Sequence, residues 1–204
     1  TTSPAPPTAP SVPRSSAPAL PRGQALPLNL PTGAASKVIT VTATSTAATT
    51  ATLQAWNAAP GGGWLPYGAP VTAHLGSGGL TTQPSETKPA TPIGSFTLTQ
   101  AFGSASNPGT PLPYFRTDPS DWWVSDASSP LYNTHQRCSS GCPFNTAAGE
   151  NLYQAGFVYT YAVVIDYNRS PVVPGAGSAF FLHVSNGSAT VGCISIPEAN
   201  LVTI

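Results

Sequence analysis

From Lys37 onward, short runs of β-favouring residues alternate with glycine- and proline-rich breaks. Val38-Ile39-Thr40-Val41-Thr42-Ala43 and Ala51-Thr52-Leu53-Gln54-Ala55-Trp56 are rich in β-branched residues with partial apolar/polar alternation, so each predicts a strand. Ala59-Pro60-Gly61-Gly62-Gly63 breaks the chain. Trp64-Leu65-Pro66-Tyr67 and Val71-Thr72-Ala73-His74-Leu75 resume it as far as Gly76-Ser77-Gly78-Gly79. His74 has no visible partner and reads as structural. Gly94 to Ala101 alternates, with Phe96 and Leu98 on one face and Thr97 and Thr99 on the other, and predicts a further strand. Phe157 to Tyr167 is the longest β-run and predicts a central strand. The pattern as a whole predicts a mainly-β domain, a strongly curved sheet or sandwich with little helix.

Two apolar runs near the end carry the candidate chemistry. Ala179 to Val184 ends close to His183, Ser185-Asn186-Gly187-Ser188 supplies turn residues, and Ala189 to Ile196 contains Cys193. A hairpin here brings His183 and Cys193 to one edge. An imidazole beside a thiol suits thiolate catalysis, because the anion is the nucleophile and a neighbouring base or cation lowers its pKa. Gly192 allows close backbone approach, so the amides of Gly192 and Cys193 are candidates to face an oxyanion. The alternative is an inert core cysteine and a structural histidine.

Composition narrows the partners. Charged residues make up 7% of the chain and the formal net charge is zero, against about 25% charged residues in average proteins. There is therefore no basic footprint for nucleic acid and no polybasic membrane patch. No apolar run has the length of a transmembrane helix. The opening Thr-Thr-Ser-Pro lacks the features of a signal peptide, which fits a trimmed chain, and membrane attachment is expected only through an N-terminal anchor absent from this chain. Few lysines, no methionine and abundant Thr, Ser, Gly and Pro suggest export. Residues 1–36 hold nine of the 24 prolines and only two charges, Arg14 and Arg22. Such a segment buries too little apolar surface to offset its ordering entropy and is expected to be a disordered tether ahead of a domain spanning 37–204.

Between Phe102 and Asn151 the sequence predicts a long irregular insertion, of a length that compact domains reserve for function. Its aromatics, Tyr114, Phe115, Trp122, Trp123 and Tyr132, either line a groove for a peptide or glycan or pack the insertion against the core. The insertion also carries Cys138-Ser139-Ser140-Gly141-Cys142. A zinc site recruiting His135 lacks a convincing fourth ligand, so no metal is expected. A local Cys138–Cys142 disulfide fits an exported protein better and leaves Cys193 as the odd thiol.

His183 followed by Thr190-x-Gly192-Cys193 resembles the active-site motif of the L,D-transpeptidases, the cysteine transpeptidases of bacterial cell walls. Pro89-Ala90-Thr91-Pro92-Ile93-Gly94-Ser95-Phe96 is similar to the family's upstream Thr-Pro-x-Gly-x-Phe segment. The resemblance covers about residues 37–204. It implies a curved β-sheet of the L,D-transpeptidase type in the cell envelope of a bacterium. Cys193 would be acylated by a peptidoglycan stem peptide, with His183 as base and then acid and Gly192 and Cys193 as oxyanion donors. A neighbouring stem's amine would resolve the acyl-enzyme into a 3→3 cross-link. Thr190, Tyr167 and Trp123 are the candidate substrate contacts, carbapenems the expected inhibitors, and no cofactor is expected. Many members carry a longer His-to-Cys loop, a second histidine where Val191 stands and an arginine where Ser195 stands. Ser195-Ile196-Pro197-Glu198 instead reads as a helix capping box. No acidic residue lies at motif spacing to orient His183, so a backbone carbonyl is expected in that role. Two rival readings stay open: an L,D-carboxypeptidase that uses water as acceptor, and a non-catalytic wall-binding module with a vestigial Cys193.

Overall fold

The computed structural model describes residues 20–204. Thirteen strands and one α-helix occur in this part. They are β1 (Lys37–Thr42), β2 (Thr50–Ala58), β3 (Trp64–His74), β4 (Leu80–Thr81), β5 (Thr91–Pro92), β6 (Leu98–Gly103) and β7 (Tyr114–Arg116). Then follow β8 (Asp121–Trp123), β9 (His135–Arg137), β10 (Glu150–Asn151), β11 (Ala162–Ile165), β12 (Phe181–Val184), β13 (Ile194–Ile196) and α1 (Glu198–Thr203). Eight strands make one curled sheet in the order β1-β2-β3-β13-β12-β11-β6-β7. The domain is mainly β with little helix, as the alternation predicts.

The two faces of this sheet bury different cores. Leu53, Ala73, Leu182, Val184 and Ile196 lie on one face beneath Leu201 of α1. Phe102, Ala162, Val164 and Phe181 lie on the other, packed with Trp123, Leu152 and Tyr159. The period-2 pleat explains the split, since neighbours along β12 point to opposite faces. Phe181 anchors the second core: its ring meets Phe102, Trp123 and Tyr159 edge-on at centroid distances of 5.1, 5.0 and 5.6 Å. Truncating it to alanine would cost about 3–5 kcal/mol.

Several expectations are corrected. The hairpin expected to join His183 to Cys193 does not form, because β12 and β13 pair in parallel, with Leu182 opposite Ile194 and His183 opposite Ser195. The connecting chain detours past the end of β3, where Thr190 donates to the Leu75 carbonyl and accepts from Ser77, and then returns to insert β13 between β3 and β12. The run 157–167 is strand only at β11; Gly156–Tyr159 is a 3₁₀ turn that begins at a positive-φ glycine. An apolar run alone does not separate these states.

The insertion is ordered. Its β7 extends the main sheet beside β6, and β10-β8-β9 form a small sheet of their own. Buried Asp121 ties the insertion together: it accepts from the Asp118 amide and pairs with His135 Nε2 at 2.8 Å and Arg137. His135 in turn stacks on Phe115. Cys138 and Cys142 are disulfide-bonded. The capping box is also absent. Pro197 holds the N-cap position of α1 without a side-chain bond, and Ser195 belongs to β13. Of the expected tether, residues 1–19 lie outside the described residues. Gly23 and Gln24 bond backbone to backbone with Gly62 and Trp64 at the β2–β3 turn.

Candidate active site

Cys193 lies just before β13, level with Phe181 at the start of β12, and the pleat puts its side chain on the same sheet face as His183. The two residues are diagonal neighbours across parallel strands, with Cα atoms roughly 7–8 Å apart by sheet geometry. Among the described residues no hydrogen bond joins the imidazole to the thiol. The row through His183 continues across the sheet as His74, Ser195, His183, Ala162, Phe102 and Phe115.

Thr190 within the turn and two distant segments, at Thr91 and at 179–181, hold Cys193 in place. The Thr190 hydroxyl donates to the Cys193 carbonyl at 2.6 Å and accepts from the Gly192 amide at 3.1 Å. Thr91 accepts from the Gly76 amide and reaches the same Cys193 carbonyl at 3.5 Å, so the Thr-Pro segment and the cysteine motif do come together. The sulfur accepts from the Phe181 amide and donates to the Ala179 carbonyl, each at 3.3 Å. Gly192 is at φ +140°, and a Cβ there would lie 2.8 Å from the Phe180 ring, so this position requires glycine.

His183 is buried, and its Nδ1–H donates to the Val184 carbonyl at 2.9 Å. That is the backbone orienter expected from the lack of a nearby acid. It leaves Nε2 as the basic nitrogen of the neutral ring. Burial lowers the pKa of His183, with the Val184 and Val158 carbonyls pulling the other way, so the ring is neutral at neutral pH. Burial pushes the Cys193 thiol from 9.0 up to about 12, reinforced by the charge of Glu150 and opposed by the Phe181 amide and the Tyr159 hydroxyl. The resting site is therefore a thiol with a neutral imidazole, and the lowered thiol pKa expected from the sequence is not present.

Other candidates fall differently. Thr190 spends its hydroxyl on the turn and acts on Cys193 through the backbone. The Gly192 amide is committed to Thr190, which leaves the Cys193 amide as the candidate oxyanion donor. Trp123 is 1% exposed, with its indole N–H bonded to Asn133 Oδ1 at 2.8 Å. It belongs to the core and offers no face to a substrate. Tyr167 packs edge-on against Phe96 and Phe180 and donates its hydroxyl to the Ala176 carbonyl, below the loop that leads to β12.

Sequence reasoning missed Glu150 and Tyr159. The Tyr159 hydroxyl donates to Glu150 Oε1 at 2.7 Å, and its ring lies 5.3 Å edge-on from the His183 ring. Two signals pointed there: Gly156 stands immediately before the expected strand, and Glu150 is one of only seven acidic residues in the chain. A cleft of about 470 Å³ lies beside the disulfide loop, lined by Trp122, Phe144 and Asn151 but not by Cys193 or His183. Among the described residues, no cluster of His, Cys, Asp and Glu is placed to hold a metal ion. No family model matches this chain, and no curated protein or solved structure matches it.

Proposed function

We propose that this chain is a peptidoglycan L,D-transpeptidase that works through a Cys193 acyl-enzyme in a bacterial cell envelope. The observation that carries the reading is the placement of the one free cysteine on the same sheet face as a neutral, carbonyl-oriented histidine. The resemblance of the Thr190-x-Gly192-Cys193 and Thr91-Pro92 segments supplies the substrate class, and their contact in the fold supports that resemblance.

In this mechanism the thiol proton passes to His183 Nε2 as the sulfur attacks the carbonyl between the third and fourth residues of a tetrapeptide stem. The Cys193 amide stabilises the oxyanion. The carbon–nitrogen bond then breaks, His183 returns the proton to the departing amine, and the terminal D-residue leaves with a thioester left on Cys193. The side-chain amine of a neighbouring stem attacks the thioester, His183 takes its proton, and the thiol is regenerated as the 3→3 amide forms. The thiol's high resting pKa means that deprotonation accompanies attack and does not precede it.

The wall-binding reading is favoured by one observation, the burial that keeps Cys193 protonated. Intact-mass analysis after incubation with disaccharide-tetrapeptide separates the two. Transpeptidation predicts an acyl adduct on Cys193 and a cross-linked dimer, both lost in Cys193→Ala and slowed by about two to four orders of magnitude in His183→Gln. A tripeptide product without dimer would assign the water-accepting carboxypeptidase. Binding of glycan by wild type with no adduct from either the stem peptide or a carbapenem would overturn the enzymatic reading.

A further inference from the structure

The two tryptophans of β8 face opposite ways. Trp123 stands level with Glu150 and His135 across the small sheet and packs into the core beside Phe181. The pleat therefore turns the next row, Asn151, Trp122 and Gln136, to the outer face. The cleft of about 470 Å³ opens on that face. Trp122 lines it partly buried, with its indole N–H donating to the Cys138 carbonyl at 3.0 Å and its ring 6.3 Å from that of Phe144. Asn151 holds the floor: its Nδ2 donates to the Pro119 carbonyl and its Oδ1 accepts from the Tyr153 and Gln154 amides. The Cys138–Cys142 disulfide restrains the rim. A wall held in this way loses little further freedom when a ligand binds.

The lining chemistry selects the ligand. None of the residues around the cleft carries a charge. The hydroxyls of Ser139, Ser140 and Thr146, the Asn145 Nδ2 and the Gln154 carboxamide belong to exposed residues. Among the described residues these groups make no hydrogen bond with one another or with the rest of the protein, although Asn145 Oδ1 accepts from the Ala147 amide. Hydroxyls and carboxamides both donate and accept, which matches the hydroxyl and acetamido groups of a sugar. The indole adds an apolar surface suited to the C–H face of a sugar ring. A peptide with charged ends would find no counter-charge here, and its ionic groups would lose hydration without compensation.

We propose that this cleft is a second binding site, for a neutral saccharide, in which Trp122 supplies the apolar surface and Asn145, Thr146 and Gln154 supply the polar contacts. The choice of an N-acetylated sugar as its ligand rests on the cell-wall reading of Cys193; the cleft and its lining do not. The site lies on the far side of the small sheet from Trp123, whose ring meets Phe181 5.0 Å away, and the Phe181 amide in turn donates to the Cys193 sulfur. The insertion would thus hold glycan on its outer face while its inner face covers the core beside the thiol.

The test titrates chitotetraose, a β-1,4-linked N-acetylglucosamine oligomer without peptide, into the full chain and follows it by NMR. Saturable shifts are expected at the Trp122 indole N–H, at the amides of 138–146 and at Gln154, with residues 179–195 unmoved. Replacing Gln154 and Thr146 together by alanine should weaken binding about tenfold, and Trp122→Leu should weaken it by at least as much. Cys193→Ala should bind as wild type does. The absence of saturable binding, binding that shifts a different surface, or binding undiminished by the Gln154 and Thr146 changes overturns the proposal. Shifts of the same residues by a stem tetrapeptide but not by the sugar would also overturn it, in favour of a peptide. If Trp122→Leu does not fold, the Gln154 and Thr146 pair decides. Failure of the parent reading appears separately: chitotetraose would bind while wild type forms no acyl adduct.

Discussion

Thr190 and Cys193 are joined by a 2.6 Å hydrogen bond from the threonine hydroxyl to the cysteine carbonyl, and that hydroxyl also accepts from the Gly192 amide. One hydroxyl therefore fixes the turn that aims the sulfur. Thr190→Val keeps the shape and removes both bonds. It should cost about 1–3 kcal/mol of stability and lower the acylation rate about ten- to hundredfold through misplacement of the sulfur. Thermal unfolding and single-turnover mass spectrometry would check this; an unchanged acylation rate would show that the turn holds its shape without Thr190.

The protonation state of Cys193 gives the second prediction. With its pKa raised to about 12, the rate of thiol alkylation should climb about tenfold per pH unit from pH 7 to pH 10 without a plateau. A thiolate already formed near neutral pH would give a flat profile. The same shift bears on stability. The folded state holds this proton more tightly than the unfolded chain, so the contribution is complete below the ordinary thiol value of 9.0 and is lost as pH rises towards about 12. Cys193→Ala should therefore unfold with a shallower alkaline decline across that window in urea titrations.

The fold class was legible in the sequence because β-alternation has a fixed period, whereas the shared face of His183 and Cys193 arises from a parallel pairing and not from the expected hairpin. Phe96 and Leu98 do pack towards one core, while Thr97 and Thr99 bond to Asp166 on the other side, although regular pairing begins only at Leu98. Strand partners were not legible in the same way. The segment 185–188 has the chemistry of a hairpin turn, but the bonds of Thr190 to Leu75 and Ser77 draw the chain to β3, and such long-range pairings leave no local periodicity. Glu150 and Tyr159 were missed for a related reason. Their meeting depends on the insertion folding back onto the sheet.

Asn133 links the insertion to the site. Its Oδ1 accepts from Trp123 Nε1 and the Ala179 amide, and its Nδ2 donates to the carbonyls of Tyr167 and Asn168. The residue is buried and sits at φ +57°, a conformation that asparagine tolerates better than most residues. Asn133→Ala should destabilise the domain by about 3–4 kcal/mol. Because Ala179 also holds the Cys193 thiol, alkylation of Cys193 should quicken in the same variant. Denaturant unfolding with parallel labelling would test both, and a loss below 1 kcal/mol would remove Asn133 from this role.

Ser195 offers the opposite case. Its hydroxyl is buried in the row between His74 of β3 and His183 of β12 and finds no partner among the described residues. Ser195→Ala should leave acylation unchanged and stabilise the fold by about 1 kcal/mol, because a desolvated, unpaired hydroxyl is removed. A marked drop in acylation would instead show that Ser195 engages the substrate.

The position of β13 between β3 and β12 also governs how this chain can fold. Until residues 194–196 arrive, β1-β2-β3 and β12-β11-β6-β7 are two separate blocks with unpaired inner edges. Closing the gap joins segments that lie more than a hundred residues apart in sequence, so it is an intrinsically slow step. In a chain that emerges from its N-terminal end, the Cys193 sulfur is therefore set in place only when the strand that seals the sheet arrives. Exposed inner edges make the unsealed chain prone to aggregate and open to proteases until that moment.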